Sequence, residues 1–192
     1  MKKAQTGFTI IEMLVAISIM AAITTTLFVA YPKFGRRLAI EREAQFVALS
    51  LRDAEERAIR TQRAGGAFTA PFGVHFDLNA RRSYILFADI NSNGYFDAGV
   101  DLAVETFSIG NSVRLDKLCA GEKNASGDCT FSSLSITFKR PAPLIEVKGN
   151  GGGGVLPNTD FEIYVKTDDG VYAQLVVIWT TGAVSIEDVP VL

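Results

Sequence analysis

Histidine is almost missing from this chain: there is one, His75, among 192 residues. A single imidazole excludes a His-rich metal centre and leaves few triads possible. No nucleophile motif, phosphate-binding loop or clustered acid/base set stands beside it. Enzymatic activity is therefore not expected, no cofactor is implied, and His75, in an apparent strand, reads as structural. Cysteine is scarce too. With two cysteines and one histidine, a thiolate metal site would lack ligands. Excess positive charge is also lacking: 19 Lys and Arg face 21 Asp and Glu, for a net charge of −2, whereas phosphate-backbone binding wants a concentrated basic face. There is no internal repeat.

What the chain does have is a long apolar run near its start. From Phe8 to Ala30 the only charge is Glu12, and the run is preceded by Lys2, Lys3 and Gly7. At ~1.5 Å rise per residue the run is long enough to cross a bilayer as a helix. A charged side chain inside a membrane helix costs roughly 2.5 kcal/mol or more, so Glu12 needs a purpose. A cleaved secretory signal fits poorly. The run exceeds a typical apolar signal core, contains Glu12, and puts a bulky residue first in Phe28-Val29-Ala30, where a small one is wanted. A plain N-terminal anchor explains the length and sets Lys2 and Lys3 on the cytoplasmic side. It does not explain Glu12.

Lys2-Lys3 followed by Gly7-Phe8-Thr9-Ile10-Ile11-Glu12 resembles the processing motif of type IV prepilins and type II secretion pseudopilins. The resemblance implies that a membrane-embedded aspartyl prepilin peptidase cuts after Gly7 and methylates the new amino terminus of Phe8. The leader 1–7 would be lost and the apolar helix kept. Physical chemistry gives Glu12 a matching role. Cleavage exposes an α-amino group at Phe8 that is cationic near neutral pH. Packed among other subunits, that amine would be a buried unpaired charge. A Glu12 carboxylate on a neighbouring subunit would neutralise it, and breaking such a pair typically costs ~3–5 kcal/mol. The resemblance likewise implies that Glu12 sets subunit register during filament assembly.

Beyond the membrane the helix is expected to continue to about Gln62, with a kink at Pro32 and an end at Gly65-Gly66. Ala44, Val47, Leu51, Ala54 and Ala58, spaced three and four apart, form one apolar face suited to packing against a sheet. The remainder reads as strands: Gly73–Leu78 with Ser83–Asp89 as a hairpin across Asn79-Ala80-Arg81, and Val104–Ile109 with Ser112–Lys117 as a second hairpin at Gly110-Asn111. Leu134–Lys139, Phe161–Lys166, Val171–Trp179 and Ala183–Asp188 follow, the last pairs joined at Asp168-Asp169-Gly170 and Thr180-Thr181-Gly182. The tract from Gly149 to Gly154 reads as a mobile surface loop. The expected fold is α+β and pilin-like, a long N-terminal helix packed on an antiparallel β-rich head. The expected division is leader 1–7, membrane and assembly half of the helix 8–31, extracytoplasmic half 32–64, and head 65–192.

Cys119 and Cys129 flank a polar stretch, Ala120 to Asp128. In an oxidising compartment they should pair, closing a short loop at roughly 2–3 kcal/mol. Phe87 to Asp97, Phe138-Lys139-Arg140-Pro141 with a glycine-rich loop after it, and a closing hairpin at Gly182 are similar to the GspH/FimT-type pseudopilin head. That likeness implies a minor component. Asp89, Asn91, Asn93 and Asp97, with Gly94 at the turn, follow the oxygen spacing of a calcium loop. Val100 stands where its bidentate acid belongs, and Asn and Asp favour tight turns on their own account. Some FimT-like members associated with competence carry Gly-Arg-x-Arg in the closing hairpin. Here the stretch is Gly182-Ala183-Val184-Ser185, so nucleic-acid contact is not expected. The implied location is the bacterial inner membrane, single-pass, with a cytoplasmic N-terminus and an extracytoplasmic head. The implied partners are the prepilin peptidase, other pilin or pseudopilin subunits and an inner-membrane assembly platform. The alternatives are a competence pilus subunit or a membrane-anchored extracytoplasmic binding module.

Overall fold

The computed structural model describes residues 7–60, 70–121, 128–140, 144–150 and 160–189, without the side chains of 29–33, 128 and 144. Helix α1 (Ile10–Ile59) opens the fold. Among the described residues ten strands follow: β1 (Phe72–Asp77), β2 (Ser83–Ala88), β3 (Leu102–Ser108), β4 (Val113–Ala120), β5 (Asp128–Phe131), β6 (Ser133–Lys139), β7 (Leu144–Gly149), β8 (Asp160–Thr167), β9 (Ala173–Trp179) and β10 (Val184–Val189). The chain divides into two compact units, Met1–Arg37 and Leu38–Leu192. The helix continues through position 32, where a kink at Pro32 is expected; the helix end expected at Gly65-Gly66 and most of the glycine tract lie outside the described residues.

In the second unit the strands form two five-stranded antiparallel sheets, ordered β3-β2-β1-β6-β7 and β10-β9-β8-β4-β5. This is the α+β architecture expected from the sequence. Period-two alternation sorts the side chains, as strand geometry requires. Phe72, Val74 and Phe76 of β1, Leu134, Ile136 and Phe138 of β6, and Phe161, Ile163 and Val165 of β8 enter one core. The helical share of that core comes from Ile40, Ala44, Val47, Leu51, Ala54 and Ala58, buried at steps of three and four, with Ala48 beside them. The apolar face read from the sequence is thus the packed one. Each buried Leu or Ile contributes on the order of 1.5–3 kcal/mol.

The hairpins at Asn79-Ala80-Arg81, Asp168-Asp169-Gly170 and Thr180-Thr181-Gly182 form as β1–β2, β8–β9 and β9–β10. The one expected at Gly110-Asn111 does not. β3 pairs with β2 in the first sheet, while β4 pairs with β8 and β5 in the second. The turn therefore hands the chain from one sheet to the other. Burial drives the crossing: β3 is exposed along nearly its whole length, whereas β4 buries Val113, Leu115 and Leu118. Arg82 fastens it, donating from Nη1 to the Asn111 carbonyl at 2.6 Å and pairing through Nη2 with Asp168 at 2.9 Å. Strands β5 and β7 were not among those expected.

Candidate functional site

The first unit carries the residues on which processing and assembly would depend. Gly7, Phe8 and Thr9 have no regular secondary structure, and α1 begins at Ile10. Its start is fixed by Thr9. The Thr9 hydroxyl accepts the Glu12 amide N–H at 3.3 Å, and the Thr9 carbonyl accepts the Met13 amide at 3.2 Å. That is the geometry of an N-cap, which satisfies donors the first helical turn otherwise leaves open. Glu12 lies in this first turn, where a carboxylate also opposes the positive end of the helix dipole. Thr9 does not figure among the residues singled out from sequence. Its signal was there nonetheless, since Thr-x-x-Glu ahead of an apolar run is the pattern of a capping box.

Upstream of the cap, Gly7 has no atom within 4 Å of where a side chain would begin, and Phe8 is 83% exposed. Downstream, Ile10–Phe28 is a 19-residue stretch long and apolar enough to cross a membrane, with none of it buried within the chain. Its polar residues are closed off internally. Ser18, Thr24 and Thr25 donate their hydroxyls to the carbonyls of Leu14, Met20 and Ala21 at 2.6–2.8 Å, and Thr26 donates to Ile23 at 2.7 Å. A hydroxyl satisfied by its own helix can enter hydrocarbon without an orphaned donor. Glu12 is the one side chain there whose charge the helix cannot cancel in this way.

Among the described residues the second unit supplies no chemical site of comparable clarity. Cys119 and Cys129 form a disulfide joining β4 to β5. His75 sits on the face of β1 turned away from the core, 8% exposed, with Nδ1 2.7 Å from Ser135 Oγ. The rings of Tyr95 and Phe96 lie 5.3 Å away. Burial pushes its pKa down to about 4, against a smaller upward pull from Asp77. A Ser–His pair at hydrogen-bond distance is a recognisable chemical arrangement, but Ser135 is fully buried and its hydroxyl also accepts the Phe96 amide at 3.2 Å. The pair braces a loop. No local sequence signal links two residues 60 positions apart.

That loop, residues 89–101, holds the calcium-like residues. Asp89 accepts the amides of Asn93 and Gly94 at 3.1 and 2.7 Å. Asp101 accepts those of Ile90 and Asp97 at 2.9 and 2.8 Å. Asn91 and Asn93 turn their side-chain NH2 groups onto Asp97 Oδ2 at 3.0 and 2.5 Å. The carboxylates are thus matched by amide donors from within the loop. Burial raises the Asp89 pKa, opposed first by the Gly94 amide. Among the described residues no three His, Cys, Asp or Glu gather as metal ligands. In the closing hairpin, Ala183 and Val184 follow Gly182, and Glu187 and Asp188 lie in β10, so no basic element forms there.

Residues 2–28 match the prokaryotic N-terminal methylation motif. The match spans Gly7, Phe8, Thr9 and Glu12 together with the apolar stretch up to Phe28, and it makes the chain similar to prepilin-like proteins over that segment. No curated relative and no solved structure matches the chain.

Proposed function

We propose that this chain is a prepilin-like structural subunit. Prepilin peptidase removes residues 1–7, Phe8 becomes the N-methylated first residue, and residues 8–31 hold the protein in the bacterial inner membrane. The N-terminus then faces the cytoplasm and the β-rich head lies outside it. Subunits assemble through the apolar helix into a type IV pilus or a type II secretion pseudopilus, with the assembly platform and other pilins as partners. One observation carries this reading. Glu12 is the only charge on an exposed apolar helix, four residues from the amine that cleavage after Gly7 would create. Unmatched, that carboxylate costs roughly 2.5–3.5 kcal/mol in the bilayer. Opposite a neighbour's amine it becomes half of a neutral pair.

The likeness of scattered head segments to the GspH/FimT type supports a minor, tip-proximal role. A DNA-contacting competence subunit has less support, because the closing hairpin lacks arginine and the net charge is −2. Intact-mass measurement of the protein from cells with and without prepilin peptidase tests the proposal. Loss of Met1 to Gly7 plus one methyl group, only where the peptidase is present, is the expected result. A plain membrane anchor gives the same mass in both.

A further inference from the structure

Two hydrogen bonds at the head of α1 bear on how the Gly7–Phe8 bond is presented. A peptidase reads an extended backbone, and a bond enclosed in helical hydrogen bonding must first be unfolded locally to be cut. Here the scissile bond and the helix are adjacent: Gly7, Phe8 and Thr9 are non-helical, and Ile10 is helical. Two features keep that boundary in place. Glycine resists the helix because of its backbone freedom. Thr9 caps the start of the helix, its hydroxyl accepting the Glu12 amide and its carbonyl the Met13 amide. The boundary could otherwise slide. In the sequence the next residue able to cap is Thr6, and a helix started there would take Gly7 and Phe8 into its first turn.

We infer that Thr9 is a positioning residue for processing: its N-cap fixes where α1 begins and so keeps the Gly7–Phe8 peptide outside the helix, where a peptidase can take up its backbone. The inference rests on the proposed cleavage after Gly7. The step itself is a hydrolysis, in which water adds across that peptide, Gly7 leaves as a carboxylate and Phe8 keeps the α-amine. Thr9 touches neither reacting atom.

The test is a pulse-chase of the full chain in cells with limiting prepilin peptidase, following precursor and processed forms of wild type, Thr9→Ser, Thr9→Val and Thr6→Ala/Thr9→Val. Thr9→Val keeps the shape and loses the hydroxyl, and should be processed roughly fivefold more slowly, the effect of an N-cap of ordinary strength. Thr9→Ser keeps the hydroxyl and should stay within about twofold of wild type. Removing the alternative cap as well, in Thr6→Ala/Thr9→Val, should return the rate toward wild type. Thr9→Val processed at the wild-type rate, Thr9→Ser as slow as Thr9→Val, or no recovery in the double variant would each overturn the inference while leaving cleavage after Gly7 standing. A wild-type chain that is never cut removes both.

Discussion

Lowering the pH from 7 to 4 should destabilise the fold through His75, and the size of the effect follows from its burial. In the fold the imidazole is held neutral down to about pH 4, whereas an unfolded chain would protonate it near 6.5. Above pH 6.5 the residue is neutral in both states and its contribution is complete. As the pH falls, the unfolded state takes the proton first, so stability drains between about 6.5 and 4 and then levels off. At ~1.4 kcal/mol per pH unit the loss is about 3 kcal/mol. Asp89 works in the opposite direction, because burial raises its pKa in the fold and acid relieves that cost. The comparison must therefore be between proteins that share Asp89. Urea unfolding of the full chain in detergent, wild type against His75→Asn, at half-unit steps from pH 7 to 4, isolates the histidine. His75→Asn should be less stable at neutral pH for want of the ring contacts with Tyr95 and Phe96. The gap between the two proteins should then narrow by about 3 kcal/mol toward pH 4. Curves that stay parallel would refute the reasoning, since they would mean that the imidazole is as open to water in the fold as out of it.

Three further outcomes follow from packing and covalent structure. Leu51→Ala removes a fully buried side chain from the helix–sheet core and should cost about 2–5 kcal/mol in chemical denaturation. At Gly73 a methyl group would stand 2.5 Å from the Ile136 carbonyl oxygen and 2.7 Å from Thr137 Cγ2. Gly73→Ala should therefore force β1 and β6 apart, at about 1–3 kcal/mol, seen as a lowered Tm; an unchanged Tm would contradict the close strand packing. Cys119→Ser should lose about 2–3 kcal/mol, by the chain-entropy estimate for a bridge between residues ten apart. Its migration on a non-reducing gel should no longer respond to reductant.

How legible all this is in the sequence depends on the range of the interaction. The stripe Ala44–Ala58 could be read because a helix repeats its face every three to four residues, whatever it packs on. Strand positions came through for the same reason, as period-two runs between turn residues. Pairing did not. Gly110-Asn111 signals that the chain turns, but nothing local says whether the strands on either side lie together. Here Arg82, some thirty residues away, holds the crossing. β5 is four residues long, too short and polar for its alternation to stand out, and β7 follows the Pro141–Pro143 stretch that reads as loop. At the N-terminus the charge of Glu12 in an apolar run is plain, while Thr9 is marked only by its Thr-x-x-Glu spacing, because a cap is a hydrogen-bonding role that hydrophobicity does not show. The calcium-like spacing of Asp89 to Asp97 is legible too, yet the same residues suffice to hydrogen-bond one another into a turn.

The central claim is that the Glu12 carboxylate of one subunit meets the Phe8 amine of the next. Replacing Glu12 by Gln keeps size and helix propensity and removes the charge, so fibre incorporation of Glu12→Gln is the direct measurement, scored alongside its N-terminal mass. The account predicts a chain cut after Gly7 as in wild type but left in the membrane, with little reaching sheared filaments. Glu12→Gln entering filaments at the wild-type level would contradict it.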